Sequence, residues 1–128
     1  MKNSLLIITL VLLAFSCKKV EGEGGTATII GVVTTKNYNG AGELIATYPA
    51  ADEDIFIIYG SNTEGYDDKT SSSYDGSFKF SYLTPGEYKV YIYSDCDTCV
   101  SGETAYLKSI TISEKGEIVN AGEFINND

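Results

Sequence analysis

The sequence predicts an all-β chain: a seven-stranded antiparallel β-sandwich that follows an N-terminal signal segment. Three observations carry this. After Gly25 the apolar residues fall in short runs that alternate or cluster, and β-branched and aromatic types dominate them. Turn signals separate the runs, among them Asp75-Gly76, Pro85-Gly86 and Lys115-Gly116. No stretch beyond residue 25 shows the spacing of an amphipathic helix. The length of 128 residues fits one domain, and 43% hydrophobic against 21% charged residues suits a packed core.

The elements follow in order. Thr26 to Thr35 reads as the first strand, with Ile29, Ile30, Val32 and Val33 around Gly31. Residues 36–53 are less regular; Gly40 and Gly42 interrupt them, and Leu44 to Tyr48 suits a short edge strand before Pro49. Asp54 to Tyr59 is a compact apolar run, expected to be buried on both faces. Tyr66 to Ser73 is polar and suits an edge. Gly76 to Tyr82 alternates, with Phe78, Phe80 and Tyr82 on one face and Ser77, Lys79 and Ser81 on the other. Asp75-Gly76 before it is a hairpin signal. Thr84-Pro85-Gly86-Glu87 suits a type II turn, because Pro presets φ at the second position and Gly accepts positive φ at the third. Glu87 to Tyr93 then places Tyr88, Val90 and Ile92 inward. Ala105 to Ser113 carries Ile110 and Ile112 on one face, and Lys115-Gly116 turns the chain into Glu117 to Ile125.

The N-terminus reads as an address. Lys2 supplies a positive start, and Leu5 to Phe15 is apolar apart from Thr9. That run has the length of a signal-peptide core and is too short for a membrane span of ~20 residues. Ala14-Phe15-Ser16-Cys17 resembles the lipobox of bacterial lipoproteins. The resemblance implies cleavage after residue 16, a diacylglycerol thioether on Cys17 and acylation of its new amino group. Two or more acyl chains anchor stably where one is marginal. Lys18 to Gly25 reads as a flexible tether reaching roughly 26 Å at ~3.3 Å per residue. The expected organisation is therefore signal peptide 1–16, lipidated Cys17 with its tether to residue 25, and a sandwich over 26–126. Lys18-Lys19 differs from the Asp that marks inner-membrane retention in some bacteria. The expected location is the outer membrane, on its periplasmic or cell-surface face.

Composition excludes several functions. The chain has no His, which removes Ser-His-Asp and Cys-His catalysis and His-ligated metals. It has no Arg, which removes the bidentate phosphate clamp. A net charge of −9 excludes nucleic acid as a partner, since that affinity comes from cations on phosphates.

The stretch Ser73 to Val90 resembles the signature of carboxypeptidase regulatory-like domains. Asp75-Gly76-Ser77-Phe78-Lys79-Phe80 matches its D-G-x-F-x-F strand, and Pro85-Gly86-Glu87-Tyr88 matches its P-G-x-Y opening of the next strand. Ile30-Gly31-Val32-Val33 and Asp54 to Tyr59 stand where the family has its first and second strands. The resemblance implies a transthyretin-like (prealbumin-like), immunoglobulin-like sandwich without catalytic residues, used as an accessory module or a stand-alone lipoprotein. Residues 36–53 are longer than the family's connection, and residues 94–104 carry two Cys that it does not require. In physical terms the motif is packing: Phe78, Phe80, Tyr88 and Val90 are expected to line up across a hairpin. The Tyr88 hydroxyl is expected to cap a strand corner.

Candidate site residues are few. Cys96-Asp97-Thr98-Cys99 suits a loop-pinning disulfide in an oxidising compartment; free thiols or a redox pair are the alternatives, against which Asp95 and Asp97 disfavour a thiolate. Carboxylates cluster at Asp52-Glu53-Asp54, at Asp67-Asp68 and at Asp95 with Asp97. Oxygen ligands suit Ca²⁺, but none of the clusters forms an EF-hand loop; they read as solvated loop charge, with a calcium-linked accessory as the weaker alternative, and no metal or other cofactor is expected. Tyr91, Tyr93 and Tyr106 form the candidate binding face, since outward tyrosines can stack on sugars or anchor a partner. Ser71-Ser72-Ser73 has no evident base and reads as loop. The resulting expectation is a non-catalytic, lipid-anchored envelope module with a protein partner. A carbohydrate-binding lipoprotein using outward tyrosines and loop carboxylates is the alternative.

Overall fold

The structure is a computed structural model that describes residues 20–128. The expected signal segment 1–16 and Cys17 lie outside the described residues. The rest is all-β, with eight strands: β1 (Glu23–Tyr38), β2 (Leu44–Pro49), β3 (Asp54–Tyr59), β4 (Asp68–Ser71), β5 (Ser77–Leu83), β6 (Gly86–Asp95), β7 (Glu103–Ile112) and β8 (Ile118–Asn127). They form two four-stranded sheets. In one, β1 pairs with β5 along its first half, with β2 along its second half and with β8 on its other side. The other has the order β4-β3-β6-β7 and is antiparallel throughout.

Two expectations about the sandwich are corrected. The strand count is eight rather than seven. Leu44–Pro49 is the short edge strand expected there, joined to β1 by a hairpin that Asn39 closes: its Oδ1 accepts from the amides of Ala41 and Glu43. The sandwich is also not wholly antiparallel, because β8 runs parallel to β1 from Thr28/Ile118 to Lys36/Asn127. The last strand returns across the sandwich to the far side of β1, where it closes the sheet in the same direction.

The β5–β6 motif is also arranged differently from the expected hairpin. β5 belongs to the first sheet and β6 to the second, so the Pro85-Gly86 turn crosses between layers. Phe78 and Phe80 therefore face Tyr88, Val90 and Ile92 across the core rather than along a ladder. Alternation in β5 breaks at Tyr82, whose φ of 60° sits in the left-handed region. A bulge against β1 there turns Tyr82 out to solvent and Leu83 into the core. Asp75 holds the preceding turn by accepting from the Ser77 amide and hydroxyl, which keeps its carboxyl below the usual range.

The core is one cluster. Ile29, Val33, Phe78, Phe80, Leu83 and Phe124 from the first sheet meet Ile55, Ile57, Tyr88, Val90, Ile92, Ile110 and Ile112 from the second. Gly31 belongs to it by absence of a side chain: a Cβ there would collide with the Phe78 ring. The β7–β8 side is closed by Tyr106 on Phe124, with ring centroids 5.8 Å apart, and by Lys108, whose Nζ donates to Ala121 O at 2.9 Å. Among the described residues no buried side-chain polar atom lacks a partner.

The expected tether is shorter than the sequence suggests. Glu23 to Gly25 already lie in β1. Gly22 is pinned from both sides: its amide donates to Tyr88 Oη at 2.9 Å, and its carbonyl accepts from the Thr84 amide at 2.9 Å. Thr84 Oγ1 donates to Val20 O at 2.8 Å. Tyr88 Oη in turn donates to Thr84 O at 2.6 Å, the corner cap expected of it. Gly22 has a φ of 130° and lies on the Tyr59 ring, where a Cβ would be crowded.

Candidate functional site

The outer face of the second sheet carries an aromatic cluster. Phe56 stacks on Tyr91 with centroids 5.1 Å apart. Tyr66 and Tyr93 pack on the same Phe56 ring at 4.9 and 5.6 Å. Strand register explains this, because Phe56 and Tyr91 are directly paired and Tyr93 follows two residues on. Tyr91 points outward as expected, but its neighbours cover it to 9% exposure. That burial first, and Tyr93 second, pushes its hydroxyl pKa up. Tyr93 remains 47% exposed.

The expected face of Tyr91, Tyr93 and Tyr106 is therefore divided. Tyr106 pairs with the inward Ile92 and packs on Phe124, so it lies on the opposite face of the sheet. The residue that sequence reasoning missed is Phe56. Its outward direction follows from its place between Ile55 and Ile57, both fully buried.

Beside the exposed Tyr93 the sheet opens. The pairing of β3 with β6 stops at Phe56 and Tyr91, although β6 runs on to Asp95. A cleft of about 540 Å³ lies there. Phe56, Tyr93 and Tyr48 supply its aromatic surface, and Asp52, Glu53, Asp54, Asp95, Glu103 and Asp128 supply carboxylates. No Lys lines it. Two acidic groups that are distant in sequence, Asp52-Glu53-Asp54 and Asp95, are thus brought together, whereas Asp67-Asp68 is not part of the cleft.

Glu53 sits in the middle of this charge. Its Oε1 accepts from Asn126 Nδ2 at 2.9 Å, which ties the β2–β3 loop to β8. Partial burial first, then repulsion from Asp54, Asp128, Asp95 and Asp52, holds its carboxyl pKa above the usual value. Ser72 shapes the same loop: its Oγ donates to Ala50 O and accepts from the Glu53 amide at 2.9 Å. The Ser71–Ser73 run is thus structural at its centre. Among the described residues no group of three or more His, Cys, Asp or Glu is arranged to hold a metal ion.

Cys96 and Cys99 form a disulfide, with Cα atoms 5.4 Å apart. It closes the β6–β7 loop just beyond Asp95, where Cys96 N donates to Gly102 O at 2.8 Å. The loop thereby fixes Asp95 opposite Glu103, its partner across the ladder.

A larger cleft, about 1010 Å³, lies between the free edges of β4 and β5. Hydroxyls dominate it, Lys69 and Lys79 guard its two edges, and Phe78 and Phe80 are already committed to the core. Its exposed aromatic is Tyr82, with Glu23 and Asp68 as its carboxylates, against the three aromatics and six carboxylates of the cleft at Tyr93.

No family model and no curated protein sequence matches the chain. Among solved structures, the chain is similar to a candidate carbohydrate binding protein from Pseudomonas aeruginosa. The identity is 10%, the TM-score is 0.48, and the match covers 84% of this chain and 92% of that one. It is also similar to an (S)-allantoin synthase at 13% identity and a TM-score of 0.42, covering 79% of this chain and 42% of that one.

Proposed function

We propose that this chain is a lipid-anchored, non-catalytic carbohydrate-binding module of the outer membrane. The observation that carries the reading is the exposed Tyr93 beside Phe56, opening onto carboxylates from the β2–β3 connection, β6, β7 and the residue after β8. A sugar ring presents an apolar C–H face and a rim of hydroxyls. Aromatic faces suit the first, and ionised carboxylates, which only accept hydrogen bonds, suit the second. The absence of Lys from the lining favours neutral or amine-bearing sugars over uronic or sulfated ones. Anchoring rests on the lipobox-like Ala14-Phe15-Ser16-Cys17, and the assignment to carboxypeptidase regulatory-like domains rests on the Asp75–Phe80 and Pro85–Tyr88 motifs. Changing Cys17 to Ala is expected to move the protein from membranes to the soluble fraction. For the cleft, the test is a glycan array probed with the wild type and with the Asp95→Asn/Glu103→Gln double variant. Retained glycans that the double variant loses support the reading; equal retention by both contradicts it.

A second reading, an envelope protein partner, has its own observation. β2 is exposed at every residue and carries no charge, with Leu44 and Ile45 at 51% and 61% exposure. Uncharged open edges invite strand addition. Crosslinking in intact cells with and without Ala46→Lys tests it. Loss of a crosslinked envelope protein only in the variant would favour this reading.

A further inference from the structure

The pinned segment at Val20 to Gly22 and the acidic cleft lie at opposite ends of the sandwich. β6 starts at Gly86, next to the clamp, and ends at Asp95, on the cleft. β3 runs the other way, from Asp54 on the cleft to Tyr59 under Gly22. β1 leaves the clamp at Glu23 and reaches the cleft wall at Thr35. From Tyr88 to Asp95 the separation is seven strand residues, about 23 Å.

We propose that the clamp sets the orientation of the domain on the membrane. The end bearing Gly60, Thr84 and Glu87 faces the lipid surface, and the acidic–aromatic cleft faces away from it. This rests on the reading of Cys17 as the lipidated residue. Val20 is held by Thr84 Oγ1 and Gly22 by Tyr88 and Thr84, so only the chain from Cys17 to Val20 is left to span the gap. Three residue steps reach at most roughly 11 Å. That leash is shorter than the distance from clamp to cleft, and it is attached at one end of the domain rather than its middle.

Two lysines act in the same direction. Lys18 and Lys19 stand next to the anchor, where an anionic headgroup surface attracts them. Carboxylates stand at both ends, Asp52, Glu53, Asp54, Asp95, Glu103 and Asp128 at the cleft and Glu21, Glu23, Asp67, Asp68 and Glu87 by the clamp, so the short leash and not the charge of either end fixes the orientation. A ligand would therefore meet the cleft from the aqueous side.

The test uses the full lipidated protein in liposomes containing nitroxide-labelled lipid. A fluorophore is placed at Ser61→Cys, exposed at the clamp end, or at Gly40→Cys, at the far tip, where a Cβ meets nothing within 4 Å. Cys96 and Cys99 are joined and do not compete for label. Quenching is expected to be several-fold stronger at position 61 than at position 40. In Tyr88→Phe, which loses the clamping hydroxyl, the difference is expected to shrink. Equal quenching at the two positions of the native clamp, or stronger quenching at position 40, overturns the proposal. Failure of the protein to float with liposomes is a different result. It removes the Cys17 anchor itself and the orientation with it. Should Tyr88→Phe not fold, the two labels in the otherwise native sequence still decide.

Discussion

The Gly22 amide donates to the Tyr88 hydroxyl at 2.9 Å, across 66 residues of sequence. The same hydroxyl donates onward to Thr84 O at 2.6 Å. One buried oxygen thus joins the start of the domain, the layer-crossing turn and the second sheet. Tyr88→Phe keeps the ring in the core and strands the Gly22 amide and Thr84 carbonyl without this partner. The expected cost is about 1–3 kcal/mol, read from urea unfolding. An unchanged midpoint would mean that the corner contributes nothing to stability.

The acidic cleft makes stability depend on pH. The folded pKa of Glu53 lies above its ordinary value near 4.5, because burial and four neighbouring carboxylates disfavour the ion. The folded state therefore holds this proton more tightly than the unfolded chain does. The contribution of Glu53 is fully present below about pH 4.5 and is lost as pH rises through the folded pKa. Glu53→Gln keeps an acceptor for Asn126 and removes the charge. In unfolding experiments from pH 4 upward it should flatten the part of the decline that Glu53 causes. A variant whose pH profile overlays the wild type would contradict this.

The disulfide spans a sequence separation of 3 and should matter little to global stability. Loop-closure entropy for so short a ring gives at most about 2 kcal/mol. The Cys96→Ser/Cys99→Ser double variant is expected to remain folded and, under the proposed carbohydrate reading, to lose glycan retention more than stability, since the loop holds Asp95 beside the cleft. Calorimetric melting beside the glycan array separates these outcomes; collapse of the fold would be the opposite result.

Tyr91 and Tyr93 should behave oppositely, although they lie two residues apart on one face. Tyr91 is covered by Phe56 and its neighbours, so Tyr91→Ala opens a cavity and should cost about 3 kcal/mol. Tyr93 is half open, and Tyr93→Ala should cost under ~1 kcal/mol. Parallel urea titrations of the two variants check this, and equal losses would refute the division of roles.

Much of the fold was legible because strand period and turn chemistry are local. β3 spans Asp54–Tyr59 as its apolar run predicts, and Tyr88, Val90 and Ile92 face inward as their alternation requires. The layer assignment was not legible. Asp75-Gly76 and Pro85-Gly86 look like hairpin turns, yet each joins strands of different sheets, because sheet membership is decided by long-range pairing with β1 and β3. Tyr82 left its predicted face for the same reason: a bulge against β1 overrode the local period. At the site, alternation found Tyr91 and Tyr93 but could not say how far each is covered. It missed that Tyr106 has inward parity, which depends on the register of β7 against β6. The meeting of Asp52-Glu53-Asp54 with Asp95 and Glu103 is tertiary, and no spacing in the sequence announces it.

The most direct test of the carbohydrate reading is a glycan array probed with Tyr93→Ala and Tyr106→Ala beside the wild type. Tyr93 borders the cleft and Tyr106 packs on Phe124 on the other face of the sheet. The wild type and Tyr106→Ala are expected to retain a set of glycans that Tyr93→Ala loses. No retained glycan at all, or equal loss in both variants, would contradict it.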